Sequence, residues 1–149
     1  MKNILKVKKI HENAILPDYA HVGDVGMDLY SVENITIPPL KRAMVHTGIK
    51  VVKMPKNSKL MLCGKSGLAS KNGIIIMGGV IDENYRGELI VIMFNANENP
   101  YNVEVGKKIA QGVISPVLYC DVVESDEEVK SERGEKRFGS SGLDKNKKD

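Results

Sequence analysis

The chain has 149 residues, 28% of them charged, and a formal net charge of +3. That length supports one domain with a real core, and so mild a basic balance does not by itself imply nucleic acid. No window approaches the ~18 apolar residues of a membrane span, and Cys63 and Cys120 lie far apart without metal-ligand spacing, so the expectation is a soluble cytoplasmic protein with buried free thiols.

Strand signals dominate in chain order. The opening Met1-Lys-Asn-Ile-Leu-Lys-Val-Lys-Lys9 alternates apolar and charged residues and reads as a first strand rather than a signal peptide. Extended segments follow at 28–32, 43–52, 58–63, 88–95, 102–105 and 108–119, separated by Gly and Pro at Pro38-Pro39, Pro55, Gly78-Gly79, Pro100 and Gly106. Pro116 inside the last run predicts an edge or a bulge there. Only 66–71 reads as helical, for about one turn. Many short strands with closely spaced turns predict an all-β barrel or sandwich. After Asp121 the composition turns acidic over 124–132, so the folded domain is expected to span 1–123 and an arm 124–149. The closing Lys145-Asn-Lys-Lys-Asp149 reads as a solvated tail, with no direct nucleic-acid binding.

Five segments carry groups suited to chemistry. In Asp24-Val-Gly-Met-Asp-Leu-Tyr-Ser31, Asp28 sits between apolar neighbours. Gly64-Lys-Ser-Gly-Leu-Ala-Ser70 sets Lys65, Ser66 and Gly67 at the mouth of the helical turn, where backbone N–H groups face an anion. It lacks the upstream Gly of the nucleotide triphosphatase phosphate loop. Gly78-Gly-Val-Ile-Asp-Glu-Asn-Tyr-Arg-Gly-Glu-Leu89 reads as a hairpin. Its Asp82 serves either as a turn cap or as a general base on a rigid support. Gln111 lies in an apolar strand, and a buried amide there pairs with backbone or reaches a ligand. In the arm, Arg133-Gly-Glu-Lys-Arg-Phe-Gly-Ser-Ser-Gly142 is too rich in Gly, Ser and charge to pack by itself. It reads either as a tail with a stray aromatic or as a mobile arm that lays Phe138 on a flat ligand while cations hold an anion.

Together these segments resemble, in order and spacing, the five motifs of the trimeric dUTP pyrophosphatases (dUTPases). The matching stretches are Val25-Gly-Met-Asp-Leu-Tyr-Ser31, Lys65-Ser-Gly-Leu-Ala69, Gly79-Val-Ile-Asp-Glu-Asn-Tyr-Arg-Gly-Glu88, Gly106-Lys-Lys-Ile-Ala-Gln111 and the arm from Arg133 to Gly142. The resemblance implies a jelly-roll-like β-barrel of the β-clip type with a flexible C-terminal arm. It also implies a homotrimer with shared active sites, Mg2+, and hydrolysis of dUTP to dUMP and pyrophosphate. Such an activity limits uracil incorporation into DNA and supplies dUMP for dTMP synthesis.

Residue by residue, the resemblance makes Asp82 the base that activates a water for in-line attack on the α-phosphorus. Lys65, Ser66, Gly67 and Gln111 match phosphate contacts. Main-chain groups of Gly79, Val80, Ile81 and Ile90 would read the uracil edge, and Tyr85 would pack under the deoxyribose and exclude a 2′-hydroxyl. Phe138 would stack on the base, with Arg133, Gly139 and Ser140 closing over the phosphates from another subunit. Asp28 would touch metal-bound water, the metal resting mainly on substrate phosphates.

The chain departs from the usual family pattern at several points. Lys65 stands where Arg is common, which keeps the charge and loses the bidentate fork. Lys107-Lys108 replaces an acid–base pair with two like charges and puts local pairing in doubt. Gly112 replaces a larger apolar residue and leaves room for a gap. Arg137 stands where Gly is usual, and Met27 where an aromatic is common. Two rival readings are a dCTP deaminase of the same fold, which would need a catalytic Glu where Asp82 stands, and a dUTPase-like nucleotide-binding regulatory protein.

Overall fold

The computed structural model describes residues 3–127. Their elements run β1 (Lys6–Lys9), β2 (Met27–Tyr30), β3 (Ile35–Ile37), β4 (Arg42–Lys53), β5 (Ser58–Cys63), α1 (Ser66–Asn72), β6 (Ile74–Met77), β7 (Val80–Ile81), β8 (Glu88–Asn95), β9 (Tyr101–Val103) and β10 (Lys108–Pro116). One four-stranded sheet has the order β1-β4-β8-β6 and a second β2-β10-β5-β7, while β3 and β9 form a separate pair. Every pairing is antiparallel. The fold is all-β, a jelly-roll-like barrel with one short helix. Tyr119–Asp149 is a separate unit, whose described residues, 119–127, carry no helix or strand.

The period-2 pattern of the sequence becomes the two faces of each sheet. β5 and β8 alternate strictly between buried and half-buried positions. From the first sheet Val45, Val51, Leu89, Val91 and Met93, and from the second Leu29, Leu60, Leu62, Ile109 and Ala110, meet in one apolar cluster. Strands of three residues cannot hold themselves. Each ordered residue costs ~1–2 kcal/mol of backbone entropy, while a buried Val or Ile returns ~1.5–3 kcal/mol. β3 and β9 hold because Ile37 and Val103 are buried in that same cluster. Asn95, fully buried at the end of β8, ties the neighbouring loops together. Its amide donates to the carbonyls of Ile37 (3.0 Å) and Asn99 (2.8 Å), and its oxygen accepts from the Asn97 N–H (2.9 Å).

Several expectations need amending. The run Ile74–Met77 is a strand that the sequence reading missed, because four consecutive apolar residues show no period. Gly73, at φ 63°, ends α1 as a left-handed cap, its N–H bonded to the Ala69 and Leu68 carbonyls, and the chain turns straight into β6. β10 stops at Pro116, short of the expected 119. β2 pairs it only as far as Gly112, so Pro116 sits where β5 alone holds the strand; there a missing N–H costs no ladder bond on the open side. Gly112 leaves no gap: an added Cβ would stand 3.0 Å from Leu60 Cδ1. Neither cysteine is buried. Cys63 falls on the half-buried phase of β5 and Cys120 is exposed.

Candidate functional site

The second sheet sets three of the singled-out segments side by side. Gln111 of β10 stands opposite Asp28 of β2 on one side and Cys63 of β5 on the other. Two residues past Cys63 the chain enters α1 through its N-cap, Lys65. A cleft of about 560 Å3 opens here, lined by Lys65, Ser66, Gly67, Lys107, Lys108 and Gln111, among others. Lys71, Asn72 and Tyr101 extend it. Its lining carries four lysines and no acidic residue, so its chemistry suits a multiply charged anion.

Asp28 lies beneath that cleft, 3% exposed. One carboxylate oxygen accepts from Lys65 Nζ, and the other from Lys108 Nζ at 2.6 Å. Burial alone would raise its pKa. The hydrogen bonds from Lys108 and Lys65 outweigh burial and hold the group below the ordinary carboxylate range. The same contact raises the Lys108 pKa. The paired lysines of the fourth segment therefore do not confront each other: Lys108 turns to Asp28, and Lys107 to Glu104 at 3.4 Å. Gln111 is half-buried rather than buried, and donates its amide to the Gly64 carbonyl at 2.9 Å. Gly26 makes room for it, since a Cβ there would come within 2.9 Å of Gln111 Cδ.

The hairpin groups gather elsewhere. β7 pairs with β5 at Leu60 and Met61, and the Gly79 carbonyl accepts from the Leu62 N–H at 2.7 Å. Gly79 has φ 106°, and a Cβ on it would stand 2.5 Å from the Leu62 carbonyl oxygen, so no other residue fits. The turn after β7 is closed by the Tyr85 N–H on the Asp82 carbonyl at 3.1 Å. The backbone thus does the capping, and the Asp82 side chain is left exposed on the turn. Tyr85 lies across Gly87, where any Cβ would meet the ring at 2.6 Å, and its hydroxyl donates to the Glu88 carbonyl at 2.8 Å. Ile90 pairs with His46 of β4. On its other side the β6 ladder ends at Met77 opposite Ile92, so among the described residues no strand covers that edge of Ile90, and Gly78-Gly79 departs beside it.

Glu88 anchors the return of the hairpin. One carboxylate oxygen accepts from the Gly48 N–H at 2.8 Å and the other meets His46 Nδ1 at 2.9 Å. Gly48, at φ 64°, lies within the irregular step of β4 between His46 and Lys50, which turns its N–H toward Glu88.

The chain thus brings together Asp28, Lys65, Ser66, Gly67 and Gln111, and separately Gly79, Val80, Ile81, Asp82, Tyr85 and Ile90. Ile81 stands opposite Leu60, at least three residues, or about 10 Å, down β5 from the cleft. Arg133, Phe138, Gly139 and Ser140 lie outside the described residues. Lys71 and Tyr101 escaped the sequence reading, and Lys108 entered it only as a like-charge neighbour of Lys107. A carboxylate between apolar neighbours signals that some cation must meet Asp28, but only the pairing of β2 with β10 says which.

An all-β barrel with an acid-free, lysine-lined cleft and a glycine-built hairpin defines a protein that handles phosphorylated ligands. The dUTPase family model matches residues 12–142, and the chain belongs to the dUTPase family. A deoxyuridine 5'-triphosphate nucleotidohydrolase of Clostridium novyi is 48% identical over 93% of this chain and 99% of the relative. A dUTPase of Staphylococcus bacteriophage 80alpha, solved with dUpNHpp, superposes with a TM-score of 0.88 at 32% identity, covering 95% of this chain and all of that one. A mutant dUTPase from phage phi11 of S. aureus, described as coordinating a structural Mg(II) ion, superposes at 0.79 with 26% identity, covering 86% of this chain and all of that one.

Proposed function

We propose that the chain hydrolyses dUTP to dUMP and pyrophosphate, the activity named for its relatives. The observation that carries the reading is the lysine-lined cleft in which Lys65, Ser66, Gly67 and Gln111 converge without an acidic neighbour in its lining. Asp82 takes a proton from a water whose oxygen bonds to the α-phosphorus. The bond between the α-phosphorus and the α,β-bridging oxygen breaks in line, and pyrophosphate leaves carrying that oxygen. A positioned base of this kind supplies ~10²–10⁴-fold, and the cleft supplies the rest by holding charge and geometry.

Uracil is read by main chain. The uncovered edge of Ile90 and the Gly79–Ile81 strand supply donors and acceptors that cannot exchange roles, so cytosine would leave buried groups unpaired, a mismatch worth ~10⁴-fold. Tyr85, fixed over Gly87 by its bond to Glu88, takes the sugar face.

The described residues hold no cluster of three or more metal-ligating side chains. They fit a Mg2+ ion carried in on the triphosphate, since Mg2+ keeps phosphate and water ligands in preference to protein cages; Asp28, buried and with both oxygens engaged by Lys65 and Lys108, does not fit the water-mediated contact with the metal that the resemblance implied. Bound there, the ion would neutralise developing phosphate charge. As the resemblance implies, the site is completed between copies of the chain, in a homotrimer in which one copy offers the hairpin and another the cleft. Residues 124–149 act as the arm that brings Arg133, Phe138, Gly139 and Ser140 over the ligand, leaving 1–123 as the barrel domain.

The test is release of pyrophosphate and of ammonia from dUTP, dCTP, dTTP and UTP in separate samples with Mg2+. Pyrophosphate from dUTP alone is expected. Ammonia from dCTP would establish the deaminase reading, and no turnover of any nucleotide would leave a nucleotide-binding role. Asp82→Asn should retain dUpNHpp binding and lose at least ~10²-fold in kcat; turnover at the parent rate would remove Asp82 as the base.

A further inference from the structure

We infer that Lys108 is a phosphate-holding residue of the cleft and that Asp28 is the positioning residue that presents it together with Lys65. The inference rests on the reading of the cleft as the triphosphate site. Asp28 is 3% exposed and spends both oxygens on lysine ammonium groups, while both lysines line the cleft. A lysine ammonium has three donors, so one bond to Asp28 leaves two on each for a ligand. Two ammonium groups on opposite oxygens of one carboxylate stand no further than roughly 7 Å apart, a span that adjacent phosphoryl groups can bridge.

The carboxylate also removes a cost. Two lysines gathered for one anion repel each other when the cleft is empty. With Asp28 between them the trio carries a single net positive charge, and the side chains hold their places before ligand arrives. Order established in advance need not be created by ligand binding. Lys65 alone, as a flexible point charge where a forked Arg is common, would grip weakly. A second cation fixed from the neighbouring strand adds to that grip.

The experiment measures dUpNHpp and inorganic pyrophosphate binding by calorimetry in EDTA, so that no metal contributes. Lys108→Met should weaken both by about tenfold or more and leave deoxyuridine competition unchanged, and Lys108→Arg should recover most of the loss. In an Asp28→Asn background, Lys108→Met should cost less than about threefold, because the lysine there is no longer held. Parent-like phosphate affinity in Lys108→Met would overturn the role of Lys108, and equal losses in both backgrounds would overturn that of Asp28. If Lys108→Met fails to fold, Lys108→Gln, which keeps a donor toward Asp28 and loses the charge, is measured in its place with the same expected loss. A parent that binds pyrophosphate but neither binds dUpNHpp nor turns over dUTP would sink the function reading while leaving Lys108 testable on pyrophosphate.

Discussion

His46 shows how one side chain links the sheet to the hairpin. Its hydrogen bond to Glu88, with the nearby charge of Glu88 and Glu33, raises its pKa above 6.5 against a smaller opposing effect of burial. The protonated form is therefore favoured by the fold. Its contribution to stability is whole below the unfolded value and is lost as pH climbs through the raised folded value. Melting temperature should thus fall from about pH 6 to about pH 8 more steeply in the parent than in His46→Gln. Matching profiles would show that the pair contributes nothing, as many half-exposed ion pairs do. Asp28 differs because it is buried: its lysine partners are obligatory.

The hairpin element makes a sharper demand on backbone than on side chains. Gly78 has φ 67° with nothing near a prospective Cβ, whereas Gly79 adds a contact of 2.5 Å with the Leu62 carbonyl oxygen. Gly78→Ala should cost about 1 kcal/mol, the left-handed penalty alone. Gly79→Ala should cost more, about 2–4 kcal/mol, because β7 must also move off β5. Denaturant melts of the two variants check the order, and equal costs would show that the close approach carries no energy. Elements with strict alternation, 58–63 and 88–95, were legible from sequence to the residue. Ile74–Met77 was not, because an unbroken apolar run has no period to read. Ile35–Ile37 was too short to signal and exists only because β9 pairs with it.

At the scale of the molecule, the hairpin strand Gly79–Ile81 runs along β5 beside the cleft rather than lining it. Truncation after Glu132 should leave a folded barrel, seen by circular dichroism, whose dUTP turnover falls sharply; unchanged turnover would dismiss any part for the arm. The sequence by itself determined the all-β class, the family's five segments, and the placement of Asp82 on a turn and Lys65 at a helix mouth, because these follow from local periodicity and local spacing. Only the tertiary structure decided that Asp28 engages Lys65 and Lys108, that Gln111 is half-buried against Gly64, that Gly112 is filled by Leu60, and that the site residues form two groups. The physical reason is range: a residue's spacing sets its own conformation and face, but its partners come from strands paired across the sheet, from Asp28 to Lys108 and from Gln111 to Gly64.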